Sequence, residues 1–575
     1  MKKTLFPILL FLCSAALLQA RTDEHVLHVL TTGDVHGSIF STPYEEDGTG
    51  GTSLMAVKKK VDAIRESEGR DNVLLLDAGD FLQGDNSVYY FNRVATDRPH
   101  IWSRVAAYMG YDAITAGNHD IEAGHEVYDR VRAELEGYGI PLLAANALKD
   151  DGKPYFREYA VFRRAGLKIL VMGFENPNIS AWVSPEMWSG MEFKSLVPFV
   201  QEAVERVQAR EHPQVTIVVT HSGTGKGDGS ELENQGLDLY QSLHGVDLLV
   251  CAHDHRPAVK SNGTFALVNA GSHARNIGHG MIKAVTKGNR VISKSVSASI
   301  ERIDKKDVDT AMRDTFTRDF EDVRAFTLTH VGKLMMPLRT RDAYAGMSDY
   351  INLLHMVSLS GSGAKISFAA PLTFNGYIEQ GDLNFNDMFR IYPYENQLFV
   401  MNLKGSEIKA YLEYSYDSWI QTPGDHVLRI SNRPDPRTGA RKWSFEGRPY
   451  NFDSAAGLIY TVDVSKPAGS RIIIQSLADG SPFNEDETYP VALTSYRANG
   501  GGSIITKGAG IRKEDIPGRI IARGADIRQL VYEFIKARPA LDKASINDTK
   551  LLGFWKFIPS GRTDDLIGAD LDLIF

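Results

Sequence analysis

The feature that most constrains this chain is an alternation, through its first half, of short β-branched runs with segments of helical period. The runs are Val26 to Thr31, Val73 to Leu76, Ala113 to Thr115, Val215 to Thr220, Val246 to Val250 and Phe265 to Asn269. Between them Leu54, Val57, Val61 and Ile64, and again Val200, Val204 and Val207, recur every three or four residues, the repeat of an amphipathic helix. Strands separated by helices are joined by crossovers, so the pattern predicts βαβ units and a mostly parallel α/β sheet with both faces covered.

Five of the six runs are followed by a polar motif. The motifs are Gly33-Asp34-Val35-His36-Gly37, Asp77-Ala78-Gly79-Asp80, Gly117-Asn118-His119-Asp120, Thr220-His221-Ser222 and Ala252-His253-Asp254-His255. Open α/β sheets bind ligands outside the C-terminal ends of their strands, so five scattered motifs are expected to converge. In Asp34-x-His36 and His253-x-His255 the outer residues point the same way in extended backbone. Any one motif alone reads as a loop or cap; the five together point to a site. The donors Asp34, His36, Asp80, Asn118, His221, His253 and His255 suit two divalent ions if one carboxylate is shared. A nitrogen and oxygen set without thiolate suits zinc, manganese, iron or cobalt.

Two ions a few ångströms apart activate water near neutral pH, polarise phosphoryl oxygens and stabilise a leaving oxygen, so phosphoester hydrolysis fits best. His119 follows Asn118 directly and could protonate the leaving group, with Asp120 or Glu122 orienting its ring. Asp77 and Asp85 read as turn and cap residues. Thr224-Gly225-Lys226-Gly227 does not fit P-loop spacing and reads as a flexible loop beside the site.

These motifs and their order resemble the calcineurin-like metallophosphoesterases over residues 25 to 300. The resemblance implies that Asp34, His36, Asp80 and His255 hold one metal and Asp80, Asn118, His221 and His253 the other, with Asp80 bridging and His119 as the catalytic acid. The nucleotidase branch usually has Asp three residues after the catalytic histidine, where this chain has Glu122, and usually Gly where it has Ala252.

The second half has a different pattern. Asp304 to Ala325 is highly charged and predicts a solvated helix joining two domains. Beyond it a helix is expected around Ile351 to Val357, strands near Gln397 to Leu403 and Ile459 to Asp463, and a helix from Ser406 as cap to about Ser415, making a separate α+β domain. Two aromatic patches, Ile391-Tyr392-Pro393-Tyr394-Glu395-Asn396 and Thr494-Ser495-Tyr496-Arg497-Ala498-Asn499 followed by Gly500 to Gly502, suit stacking of a planar base. Both resemble the C-terminal domain of the exported 5′-nucleotidase and 2′,3′-cyclic-nucleotide phosphodiesterase family. That resemblance implies a nucleotide substrate sandwiched between Tyr394 and Tyr496, with Asn396 and Arg497 beside it, held by one domain and hydrolysed by the other.

5′-Nucleotidase members carry an Asn-Gly-Gly-Gly-x-Arg segment whose arginine helps hold the phosphate. Here the region reads Ile366-Ser367-Phe368-Ala369-Ala370-Pro371-Leu372, and Gly502 stands where those members often have Asp. With Tyr496-Arg497-Ala498 and Gly553-Phe554-Trp555-Lys556, this resembles the cyclic phosphodiesterase and 3′-nucleotidase branch. The expected activity is hydrolysis of 2′,3′-cyclic and 3′-nucleotides to nucleosides and phosphate. The alternatives are a 5′-nucleotidase or nucleotide-sugar hydrolase on the same scaffold and, more remotely, a non-catalytic nucleotide-binding surface protein.

Lys2 and Lys3 precede an apolar run from Leu5 to Leu18 ending in Leu18-Gln19-Ala20, which predicts a secretory signal peptide cut after Ala20 and a periplasmic or extracellular protein. The run is shorter than the roughly 20 residues of a membrane span, and none is expected later. Leu12 is too large for Cys13 to mark a lipidation site, so Cys251 would be the sole cysteine of the mature chain. A net charge of -8 argues against a nucleic-acid polymer as partner. The expected organisation is a signal peptide over 1–20, a catalytic domain over 21–303, a linker helix over 304–330 and a substrate-binding domain over 331–575.

Overall fold

A computed structural model of the chain describes residues 22–45, 50–394, 396–434, 439–538 and 540–575. The expected signal peptide, Cys13 and Glu395 lie outside the described residues. The first half contains β1 (Thr22–Thr32), β2 (Val73–Asp77), β3 (Ala113–Thr115), β4 (Leu142–Leu143), β5 (Tyr159–Arg164), β6 (Leu167–Phe174), β7 (Val215–Thr220), β8 (Leu248–Cys251), β9 (Ala258–Ser261), β10 (Ala266–Asn269), β11 (Asn276–Lys287) and β12 (Arg290–Arg302).

These strands divide between two sheets, where one was expected. One runs β12-β11-β1-β2-β3-β4 and the other β9-β10-β8-β7-β6-β5. In the first, β1 to β4 are parallel and β11 and β12 add an antiparallel hairpin at one edge; in the second, the four central strands are parallel and both edge strands antiparallel. The sheets pack face to face: Leu27, Val29, Leu74 and Leu76 meet Ile169, Val171, Ile217 and Val250. Alternate residues point outward under helices, Leu75 against Leu54 and Val57, and Leu170 against Val200 and Val204. A strand apolar on both faces reads the same under a helix or a second sheet, which is why the pattern did not separate the two arrangements.

The charged stretch before residue 330 is not a single solvated helix. It forms two short helices, Thr310–Thr315 and Thr317–Thr327, that bury Met312, Phe316 and Val323 in the core shared with Leu54 and Trp102. Its charges pair across the surface: Arg104 donates twice to Asp319 at 2.8 Å, and Arg98 to Asp322 at 2.8 Å. Charge read as exposure is therefore partly inter-helix pairing.

In the second half, β13 (Ile366–Ala369), β14 (Gln397–Lys404), β15 (Ser454–Ala456), β16 (Leu458–Asp463), β17 (Ile472–Leu477), β18 (Thr488–Thr494), β19 (Ile520–Asp526) and β20 (Gly553–Ile558) build a five-stranded sheet, β15-β13-β18-β14-β19, and a three-stranded one, β17-β16-β20. The expected helices run over Asp349–Ser362 and Gly405–Trp419; the second starts before Ser406, its Glu407 accepting from the Lys404 N–H. Gly553 to Lys556 opens β20, with Gly553 and Trp555 buried, Trp555 against Tyr460, and Phe554 and Lys556 exposed. Among the described residues no helix is long and apolar enough to cross a membrane.

Candidate active site

Asp34, Asp80, Asn118, His221, His253 and His255 follow the C-terminal ends of β1, β2, β3, β7 and β8, and all seven expected donors converge there. Five of them, Asp34 (φ 49°), His36 (49°), Asp80 (62°), His253 (75°) and His255 (57°), have left-handed backbone. Such conformations cost about 1–3 kcal/mol each for residues other than glycine and cluster at functional sites. The loops lock one another: the Asp34 N–H donates to Gly79 O at 2.8 Å and the His36 N–H to Asp80 O at 3.0 Å. Gly117 lets Asp80 approach, since a Cβ there would stand 2.3 Å from Asp80 Oδ1.

The side chains form two groups, Asp34–His36–His255 and Asp80–His221–His253, the donor atoms of each within 4.8 Å of one another. His221 is held at Nδ1 by Ala78 O at 2.7 Å, which turns Nε2 toward Asp80 Oδ2 and Asn118 Oδ1, each at 3.1 Å. His36 is held at Nδ1 by Gln83 O at 3.1 Å, and its Nε2 faces Nε2 of His255 at 2.9 Å. His253 Nδ1 lies 2.8 Å from Asn118 Oδ1. Asp34 Oδ1 is buried with no hydrogen-bond partner, although Nε2 of His255 lies 3.7 Å away. Lone pairs facing one another around an orphaned carboxylate oxygen are what a pair of bound cations would satisfy, so the donor set fits two divalent ions. Burial would raise the Asp80 carboxyl, yet His221, His119 and His36 hold it well below the usual carboxylate range. Burial and the neighbouring His221 push His253 down to about 3, which keeps its ring neutral, as ligation requires.

His119 stands at the edge of these groups, its ring 5.5 Å from that of His36. Its Nδ1 meets Glu122 Oε2 at 2.7 Å, and Gln83 donates to the same oxygen at 3.2 Å. Glu122 is thus the carboxylate that meets the imidazole. Asp120, expected as an alternative, does not meet the imidazole. Its carboxylate accepts the backbone N–H groups of Asp80, Phe81, Leu82 and Gly117 at 2.8–2.9 Å, because the start of this short helix turns the side chain back toward the β2 loop. Burial opposes protonation of His119, but Asp80 and Glu122 outweigh it and raise the imidazole to about 9.

A cleft of about 860 Å³ opens over this centre and is closed on its far side by the second half of the chain. That volume is in the range of small-molecule sites. Tyr394, Tyr496, Asn396, Ala369, Ala370 and Leu372 line it together with His36, His119 and His253. Tyr394 is 41% exposed and meets Tyr450 edge-on, with ring centroids 6.4 Å apart. Asn396 donates to the Tyr392 hydroxyl at 3.3 Å. Gly501 permits the position of Tyr496, since a Cβ there would fall 2.4 Å from its ring.

Arg497 differs from expectation. Although it borders the cleft, its guanidinium donates to Asp453 at 2.9 and 2.8 Å, Asn451 Oδ1 at 3.0 Å, and Gly501 O and Tyr450 O, each at 2.8 Å. Five donors are spent on protein acceptors, so Arg497 builds the wall and has no guanidinium N–H left over for a ligand. An exposed loop cation and a buried pair read alike in sequence, because Asp453 lies on a distant segment.

Residues 27–257 match the family model of the calcineurin-like phosphoesterases, and residues 328–507 that of the 5′-nucleotidase C-terminal domain. The chain is a calcineurin-like phosphoesterase joined to a 5′-nucleotidase C-terminal domain. It is a metal-dependent phosphoester hydrolase, and several of its relatives are named as nucleotide phosphoesterases. It is similar to the trifunctional nucleotide phosphoesterase protein YfkN of Bacillus subtilis (24% identical over 560 residues, 83% of this chain), of which it spans about a third (36%). It is also similar to the 2′,3′-cyclic-nucleotide 2′-phosphodiesterase/3′-nucleotidase of Haemophilus influenzae, 23% identical over 611 residues, 94% of this chain and 88% of that one. A Staphylococcus aureus protein assigned as a 5′-nucleotidase, solved with alpha-ketoglutarate, has the same fold: TM-score 0.74 at 19% identity, covering 92% of this chain and 99% of that one.

In the phosphoesterase domain three features escaped the sequence reading. Glu175 and Asn176 follow β6, a strand hidden in a continuous apolar run. Burial raises Glu175 well above its usual value, and Asn176 donates to His221 O at 3.2 Å. Trp182 stacks on His253, with centroids 5.2 Å apart, and its carbonyl accepts from Asn499 of the nucleotidase domain at 3.2 Å. His273 follows β10 at the same sheet edge and lines the cleft. Its position after a strand was the available signal, but it lacks the paired donor that marked the other motifs.

Proposed function

We propose that this chain hydrolyses 2′,3′-cyclic nucleotides and 3′-nucleotides to nucleosides and phosphate, using the domains expected over 21–303 and 331–575 with 304–330 between them. Asp34, His36, Asp80 and His255 would hold one ion and Asp80, Asn118, His221 and His253 the other, with zinc, manganese, cobalt or iron as the candidates. Two such ions supply an activated water and neutralise phosphoryl charge. Tyr394 and Tyr496 grip the base, with Asn396 beside them, and set the ribose toward His119. Glu122 holds Nδ1 of His119, so Nε2 faces the cleft and gives its proton to the departing ribose oxygen. In the first reaction water adds to phosphorus as the bond to O2′ breaks and O2′ is protonated. In the second, another water adds to phosphorus as the bond to O3′ breaks, O3′ takes the proton and phosphate leaves.

The observation that carries the choice of branch is the cleft wall at Phe368, Ala369, Ala370 and Leu372, which is apolar where 5′-nucleotidases carry a phosphate-holding arginine. The similarity to the Haemophilus influenzae protein supports the same reading. The fold shared with the Staphylococcus aureus protein favours the second reading, a 5′-nucleotidase or nucleotide-sugar hydrolase. The pattern of residues 2–20 supports export to the periplasm or beyond. Phosphate release from 3′-AMP, 5′-AMP and 2′,3′-cyclic AMP, the last coupled to a phosphomonoesterase, tests the branch. Turnover of the cyclic and 3′ substrates with 5′-AMP spared is expected; preference for 5′-AMP would overturn it.

A further inference from the structure

His273 is built like His119. Its Nδ1 meets Ser272 Oγ at 2.9 Å, as that of His119 meets Glu122, and its ring lies 5.3 Å from that of His36, so the two histidines flank the same side chain. Its ring also lies 5.8 Å from that of His255. Its backbone is fixed at both ends: the N–H donates to Asp34 O at 2.8 Å, and the carbonyl accepts from Thr52 Oγ1 at 2.7 Å. The residue is left-handed, φ 57°, like the donors beside it. The two backbone hydrogen bonds compensate that conformation, which the buried Ala274 shares, so the loop holds the half-buried ring in place at the cleft edge. Among the described residues Nε2 has no hydrogen-bond partner, and the ring lines the cleft.

The nucleotidase wall of the cleft is apolar at residues 368–372 and the five donors of Arg497 are spent, so neither offers the phosphoryl group a donor, although Lys513 and Asn499 also line the cleft. We propose that His273 is a substrate-contacting residue whose Nε2–H donates to a non-bridging phosphoryl oxygen beside the Asp34–His36–His255 group, opposite His119. In the tautomer this contact needs, the Ser272 hydroxyl donates to Nδ1 and the ring proton sits on Nε2. The contact serves any phosphoester that enters, because it touches the phosphoryl group and not the base.

This assignment rests on the two-ion reading of the site, and its test separates the two. The full-length mature chain, metal-loaded, is compared with His273→Asn, which tolerates left-handed backbone but lacks the reach, and His273→Gln, whose amide N–H replaces Nε2–H. Inorganic phosphate binding by calorimetry, bound metal by elemental analysis, and KM and kcat for 3′-AMP and p-nitrophenyl phosphate are measured. A hydrogen bond to a charged oxygen predicts that His273→Asn weakens phosphate binding and raises both KM values about tenfold, with kcat within about threefold, while His273→Gln stays within about threefold of the parent. Metal content is unchanged in both. Unchanged phosphate affinity, a KM rise for 3′-AMP alone, or loss of metal in step with activity would each overturn the assignment. A parent chain that binds phosphate but turns over no nucleotide would count against the proposed function and leave the calorimetry to decide on His273.

Discussion

Replacing Arg497 separates a wall-building role from a substrate-binding one. The Arg497 and Asp453 side chains are 5% and 4% exposed, and the guanidinium also ties Tyr450 and Gly501, the neighbours of Tyr394 and Tyr496. Arg497→Met leaves the Asp453 carboxylate buried with Tyr411 as its remaining side-chain partner. Removing one partner of a buried pair costs about 3–5 kcal/mol. For a domain of about 250 residues that lowers Tm on the order of 10 °C. Calorimetric melting of Arg497→Met, Asp453→Asn and the double variant checks this. If the pair is the unit, the double variant loses less than the sum of the singles by at least about 1 kcal/mol. A single variant that keeps its Tm within a degree or two while KM for 3′-AMP rises tenfold would refute the structural role and return Arg497 to the substrate.

Other perturbations separate the remaining roles. Glu122→Gln keeps a partner at Nδ1 of His119 but removes its charge, so kcat should fall about tenfold or more with bound metal unchanged; lost metal would contradict this. Asp120→Asn leaves one acceptor oxygen for four backbone donors, so stability should fall by about 2–4 kcal/mol and metal binding should weaken as the Asp80 loop loosens; an unperturbed melt with lower kcat would place Asp120 in the chemistry instead. Gly501→Ala drives a Cβ into the Tyr496 ring, so KM should rise for 3′-AMP and stay level for p-nitrophenyl phosphate, and equal rises would deny Tyr496 a base contact.

Much of the site was legible because strand ends carry chemistry. Asp34, Asp80, Asn118, His221 and His253 each follow a run whose β-branched residues declare it, and parallel topology brings those ends together. Side-chain direction was less legible. Asp120 and Glu122 stand two residues apart, and only the helix turn decides that one reaches the Asp80 loop and the other the imidazole. Arg497 beside three glycines looks like a free cation until Asp453, forty-four residues earlier in the chain, is seen to meet it. Phe554 and Trp555 were legible only as a marker of the branch, whereas parallel pairing of β20 with β16 buries Trp555 and exposes Phe554. The second sheet went unrecognised because strands apolar on both faces, such as β6 and β7, read alike under a helix and under another sheet.

The most direct test of the central claim, that seven side chains hold two ions on which hydrolysis depends, is elemental analysis of the purified chain and of Asp80→Asn, alongside 3′-AMP turnover with and without chelator. Two divalent ions per parent chain, both lost in Asp80→Asn, and turnover abolished by chelator and restored by added divalent metal are the expected results. An ion-free parent chain with undiminished turnover would contradict the account.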